Sequence, residues 1–176
     1  MLDANVTAGD GSAVALPRTA ASRRENSVAK LLAVGNILLD VEAPTRDGVF
    51  ASVAKSIGAR CGLCAQDIVA GLSEREALGS TVLGQGVALA HARLKGITYP
   101  IAAFVRPPWA IPFAAPDGKP VSSLFVLLVP ENATEEHLEL LAQAAGMFSD
   151  KAFRDRLNGC VTAAEILAAF ARWQFP

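Results

Sequence analysis

Apolar residues recur along this chain with two different periods, one helical and one extended. Residues 1–26 have neither. They are rich in Ala, Gly, Ser, Thr and Asp and read as a flexible N-terminal extension. From there patterned segments alternate with short breaks. Ser27 can cap a short helix through Leu32, and Ile37-Leu38-Leu39 with Val41 has strand character. Val49, Phe50, Val53 and Ile57 fall on one face of a helix opened by Thr45, which Gly58 and Gly62 are expected to end. Ile68, Val69 and Leu72 mark a further helix, with Glu74, Arg75 and Glu76 near its end.

The period then shortens. Gly79 to Leu83 and Gly86 to His91 read as short strands joined around Gly84, and Ile101 to Val105 as a third. Pro107, Pro108 and Pro112 exclude a helix after it, Asp117-Gly118 signals a turn, and Val121 to Val129 is the clearest buried strand. The remainder is helical again. Thr134 can cap a helix with Leu138, Leu141, Ala142, Ala145 and Phe148 on one face, and Ser149 or Asp150 can start the next. Thr162-x-x-Glu165 forms a capping-box pattern ahead of Ile166, Leu167, Phe170 and Trp173. Helices on both sides of a strand-rich middle predict an α/β fold: a single-domain sandwich over 27–176, with a mixed central β-sheet flanked by helices on both faces.

Composition narrows the class. A chain of 176 residues with 52% hydrophobic and 19% charged residues can bury a sizeable core, which excludes disorder for most of it. The net charge of −1 provides no basic field for nucleic acid. The longest apolar run, Leu124 to Val129, falls far short of the ~20 residues of a membrane helix, so no direct membrane insertion is expected. The first 27 residues contain no continuous apolar region of the secretory kind, and three cysteines do not make a disulfide framework. A cytoplasmic protein is expected.

Candidate chemistry is sparse. The chain has two histidines. His91 closes an apolar strand, where a sheet can deliver a side chain to a site; a hydrogen-bonded histidine at the sheet edge is the plainer reading. His137 lies in the first turn of a helix among Glu135, Glu136 and Glu139, as a solvated helix residue would. Cys61-Gly62-Leu63-Cys64 has the spacing of a redox pair but sits between two helices, unlike a thioredoxin site, and two small buried residues at a helix joint are expected. Four metal ligands do not converge in the sequence, so no metal is expected. Gly84-x-Gly86 lacks the third glycine of a dinucleotide fingerprint and continues as a strand. Arg106-Pro107-Pro108-Trp109 reads as a packed loop.

Read together, the segments around the histidines resemble a family. Arg75-Glu76-Ala77-Leu78-Gly79-Ser80-Thr81 precedes Gly84-x-Gly86-Val87-Ala88-Leu89-Ala90-His91. Ile111-Pro112-Phe113, Asp117 to Val121, Leu124 to Pro130, His137-Leu138-x-Leu140-Leu141, Ser149-Asp150-Lys151 and Leu157 continue the match. The pattern is similar to the enzyme IIA domain of the bacterial phosphoenolpyruvate-dependent sugar phosphotransferase system, in its fructose/mannitol and nitrogen-regulatory branch. It covers the chain from about Leu31 to Trp173.

The resemblance implies roles. His91 matches the phosphorylated histidine, His137 the second histidine on a facing helix, and Arg75 the active-site arginine; Ser80 and Thr81 match hydroxyl positions near the site. It implies a phosphoryl donor, a histidine-containing carrier of the HPr type, and as recipient either a IIB component or a regulatory target protein. No cofactor is implied. The Arg-Glu-x-x-Gly-Ser-Thr run points to the nitrogen-regulatory side, with a sugar-specific fructose/mannitol component as the alternative. Three features depart from the family: Ala90 replaces the usual proline before the active histidine, Trp109 is bulky, and the N-terminal extension is additional. Ala90 keeps open a second class of function, a non-phosphorylated binding module on the same fold. A third, thiol–disulfide chemistry at Cys61 and Cys64, would need a reactive thiol there.

Overall fold

A computed structural model describes residues 26–132 and 135–174. The expected extension, except Asn26, and the expected cap Thr134 lie outside the described residues. The first helix, α1 (Ser27–Leu31), is capped by Asn26 rather than Ser27: the Asn26 side-chain oxygen accepts from the Ala29 N–H at 3.0 Å. Its amide nitrogen donates to Phe170 O at 2.7 Å and to Trp173 O at 3.2 Å. An amide both accepts and donates, so Asn26 caps one helix while tying it to the end of another; a hydroxyl one residue later has neither the reach nor the second donor.

Five strands form one mixed sheet in the order β1-β4-β5-β3-β2. They are β1 (Ile37–Leu39), β2 (Val82–Gly84), β3 (Val87–Leu94), β4 (Ile101–Arg106) and β5 (Ser123–Pro130). β1 runs parallel to β4 and β3 parallel to β5, while β4–β5 and β2–β3 are antiparallel. Central β5 is buried from Ser123 to Val129, as its apolar run requires. The β2–β3 turn is made by Gln85 (φ 56°) and Gly86 (φ 75°), a left-handed pair of the kind that closes tight hairpins.

Side chains alternate between two layers. One face carries Ala88, Ala90, Ala92, Ala103, Val105, Leu124, Val126 and Leu128 against α2 (Arg46–Cys61) and α3 (Ala65–Ala77). The other carries Val87, Leu89, Ala102, Phe104, Phe125, Leu127 and Val129 against α1, α4 (Glu135–Ser149), α5 (Lys151–Gly159) and α6 (Ala163–Arg172). On that face Phe104, Phe125, Phe148, Phe153 and Phe170 interlock, the tightest pair being Phe153 and Phe170, edge to face at 5.1 Å. The caps read from sequence hold for Thr45, Asp150 and the Thr162–Glu165 box. Among the described residues no helix is long and apolar enough to cross a membrane.

Four further expectations change. Gly58 lies inside α2 and is buried; the helix ends at Cys61, with Gly62 in the left-handed region at φ 69°. Cys61 and Cys64 are exposed, not buried, because Leu63 between them takes the inward place in that turn. The buried face of α4 runs through Gln143, Ala144, Met147 and Phe148, leaving Ala142 exposed and Leu138 64% exposed. The stripe contains a glutamine whose oxygen accepts from the Val28 N–H at 2.7 Å, which an apolar pattern does not register. Finally, His91 does not close its strand; β3 continues to Leu94.

Candidate functional site

Two elements bring the site together, the last turn of α3 and the middle of β3. Helix α3 lies close over β3 because Gly71 has no side chain: a Cβ there would come within 3.1 Å of Ala92 Cβ and 3.2 Å of Leu94 Cδ2. One turn further on, Arg75 reaches His91. Hairpin pairing of β2 with β3 covers Val82↔Ala88 and Gly84↔Val87, and the Leu89 N–H donates to Thr81 O at 2.9 Å. Beyond that point β3 is no longer paired with β2, and the guanidinium comes past this edge to the imidazole.

The Arg75 Nε–H donates to His91 Nε2 at 2.9 Å, while Arg75 Nη1 donates to Gly79 O at 2.9 Å. His91 Nδ1 lies 3.2 Å from Leu89 O. Arginine only donates and a carbonyl only accepts, so the ring is assigned as neutral, with its proton on Nδ1 and its lone pair on Nε2. Both Arg75 and His91 are half-buried. Burial, the largest effect, lowers the His91 pKa from 6.5; the Leu89 carbonyl raises it, the Arg75 charge lowers it and the Glu76 charge raises it. A neutral ring nitrogen with a lone pair is a nucleophile, and the arginine that donates to it is a permanent cation for an anionic group.

Glu76 was not singled out as a site residue in the sequence, yet it holds the loop. It is buried at 5% exposure. Its carboxylate accepts the Thr81 O–H at 2.5 Å and the Thr81 N–H at 3.2–3.3 Å. Thr81 is thus an anchor: its side chain is fixed by Glu76 and its carbonyl receives the Leu89 N–H, next to the Leu89 carbonyl that meets His91. Ser80 is half-buried and its Oγ accepts from the Val82 N–H at 3.3 Å, shaping the turn. The available signal was a glutamate followed, five residues on, by a threonine across a glycine turn, too common a pattern to stand out.

His137 is the third residue of α4 and half-buried. Helix α4 packs over β2 and β3, on the sheet face to which alternation assigns the His91 side chain. Ala90 is buried and in regular register with Val126. The Leu89 N–H points toward β2, so by strand alternation the Ala90 N–H points toward β5, a donor that the family's usual proline would remove. Trp109 is 49% exposed, so its loop is not the fully packed one expected.

Residues 30–173 match the family model described as phosphoenolpyruvate-dependent sugar phosphotransferase system, EIIA 2. The chain belongs to this family. It is 43% identical over 135 residues to the nitrogen regulatory protein of Pseudomonas aeruginosa, covering 76% of this chain and 88% of that one. The crystal structure of nitrogen regulatory protein IIA-Ntr from Neisseria meningitidis superposes with a TM-score of 0.77 at 42% identity, over 82% of this chain and 99% of that one. The Escherichia coli mannitol enzyme IIA, solved in complex with phosphorylated enzyme IIB, shares the fold at 19% identity and a TM-score of 0.65, over 80% of this chain and 96% of that one. The EIIA relatedness agrees with the expected α/β sandwich and with the resemblance read from the segments around His91.

Proposed function

We propose that this EIIA-family chain is a phosphocarrier: His91 Nε2 accepts a phosphoryl group from the phosphohistidine of an HPr-type carrier, in a nitrogen-type regulatory role. The observation that carries the reading is the His91 ring, held by Leu89 O on one nitrogen and facing Arg75 Nε at 2.9 Å with the other. In the transfer, the P–N bond of the donor breaks as a P–N bond to His91 Nε2 forms. The transition state is loose and spreads charge over three equatorial oxygens. Arg75 gives up its bond to Nε2 and turns its donors to those oxygens, while its tie to Gly79 O keeps it in place. The Leu89 carbonyl oxygen, accepting from Nδ1–H, offsets the positive charge that develops in the ring. His137, in the first turn of α4, adds a further donor, and the positive end of that helix's dipole favours an anion.

Leu78, 86% exposed and three residues past Arg75, Leu83 on β2 and Leu138 beside His137 supply apolar contact for the docking carrier. The nitrogen-type role is supported by the Arg75-Glu76-x-x-Gly79-Ser80-Thr81 run and by the nitrogen regulatory relatives. The partner downstream is then a regulatory target; in a sugar-specific fructose/mannitol component it would be a IIB protein.

The test is to mix the chain with phosphoenolpyruvate, enzyme I and the HPr-type carrier and to follow intact mass beside a His91→Ala control. One acid-labile phosphoryl group, absent from the control, is expected. No gain, with the carrier active on another acceptor, would leave the non-phosphorylated binding module as the function.

A further inference from the structure

The corner between α2 and α3 carries two thiols that phosphoryl transfer leaves unused. Free cysteine is among the most buried residue types. Cys160 follows this: it is 8% exposed, its Sγ donates to Arg156 O at 3.3 Å, and burial raises its pKa. Cys61 and Cys64 are both free and exposed. Their exposure leaves both thiols open to reagents in solution.

The corner is built tightly. Cys61 is the last residue of α2 and Cys64 the residue that opens α3. Between them Gly62 takes the left-handed conformation, and the N–H groups of Gly62 and Leu63 both donate to Gly58 O, the Leu63 bond at 3.1 Å. Leu63 O rests on Gly58, where a Cβ would come within 2.8 Å. The Leu63 side chain packs into the core, and the cysteines on either side of it face solvent. The two cysteines stand three positions apart across this corner, and a disulfide between them would need their Cα atoms within about 7 Å. Cys64 also holds the position where Ser, Thr, Asp or Asn ordinarily caps a helix, yet its side chain makes no capping bond, and its Sγ lies 4.0 Å from Gln66 Oε1. Neither thiol is committed to a structural task.

We propose that Cys61 and Cys64 are a redox-active dithiol that closes to an intramolecular disulfide by exchange with a low-molecular-weight disulfide of the glutathione type. In the first step one cysteine, as thiolate, attacks a sulfur of glutathione disulfide; a protein–glutathione bond forms and one glutathione thiolate leaves. In the second, the other cysteine's thiolate attacks the protein sulfur of that mixed disulfide and expels the second glutathione. The two cysteines are oxidised, one glutathione disulfide is reduced to two glutathiones, and the two thiol protons pass to the leaving thiolates. The bond would fasten the start of α3, the helix whose far end delivers Arg75, to the end of α2.

The experiment uses the whole chain, reduced, freed of reductant and incubated with glutathione disulfide, then acid-quenched for intact mass and peptide mapping. Expected is the loss of two hydrogens, a link between Cys61 and Cys64, full reversal by dithiothreitol, and the same outcome for Cys160→Ser. Cys61→Ser and Cys64→Ser should each stall with one glutathione attached. The closing step is intramolecular, so the mixed disulfide should be roughly tenfold less abundant in the wild type than in either variant. Far-ultraviolet circular dichroism checks that both exposed-site variants stay folded. Stable glutathione adducts on the folded wild type, a disulfide-linked dimer as main product, or two thiols that stay alkylatable would each overturn the proposal.

Discussion

At the scale of single residues, the pair Arg75–His91 sets the pH behaviour. Burial outweighs the other influences and holds the His91 pKa below 6.5. The neutral ring is the acceptor, so phosphoryl acceptance should stay level through neutral pH and fall only below that value. Ring-proton NMR of His91 gives the midpoint; a value above 6.5 would contradict this. Replacing Arg75 by Gln removes one lowering influence and should raise the midpoint. Arg75→Ala should cut the rate of phosphoryl acceptance by ~100-fold or more, the usual cost of losing a donor aimed at developing charge. Its thermal unfolding should change little, since the side chain is half-buried and bonds only a ring nitrogen and one carbonyl. A loss of rate matched by an equal loss of stability would refute the assigned role.

At the scale of elements, the position of His91 depends on the hairpin as much as on its own strand. Glu76 in α3 holds Thr81, Thr81 holds Leu89, and Leu89 O meets the ring. Glu76→Ala would leave the buried Thr81 N–H and hydroxyl without their acceptor, at a cost of about 1–3 kcal/mol. Chemical denaturation should show that loss, and the variant should accept phosphate more slowly although Arg75 and His91 are intact. Glu76→Gln, which keeps an acceptor oxygen, should recover most of the stability. At the other end of the chain Asp150 serves two elements: it caps α5 through the Ala152 N–H at 2.8 Å and accepts from Trp173 Nε1 at 3.1 Å. Asp150→Ala should therefore cost more than an isolated cap, which is worth about 1 kcal/mol.

At the scale of the whole molecule, the sheet separates two cores and the site lies where one sheet edge meets helices from both layers. The phenylalanine cluster under α6 is the larger aromatic investment. Phe170 touches Phe104, Phe125, Phe148 and Phe153, so Phe170→Ala should destabilise by about 3–5 kcal/mol in a denaturant titration. Stability should also fall in mild acid. Between the lowered folded pKa of His91 and its unfolded value of 6.5, the unfolded chain binds more protons, so the contribution is complete above 6.5 and declines as pH drops below it. A His91→Gln chain should lack this component; an unchanged slope between pH 5 and 7 would assign the effect elsewhere.

Much of this was legible in the order of residues. Thr45, Asp150 and the Thr162–Glu165 box are local signals, because a cap and its N–H partner lie two or three residues apart. The apolar runs of β3 and β5 and the helical spacing in α2 fixed the elements and the α/β class, since burial on both faces of a sheet demands such runs. Arg75, His91 and His137 were marked out by the family pattern their segments carry. What only tertiary structure decided are the relations between distant residues: Asn26 over Ser27 as a cap because α6 is its second partner, the exposed Leu138 because Gln143 meets Val28, and the exposed cysteines because Leu63 turns inward. The approach of Arg75 to His91 across sixteen positions belongs with them. Local propensity reports what one segment prefers; which polar atom finds which partner is settled only when separate segments are packed together.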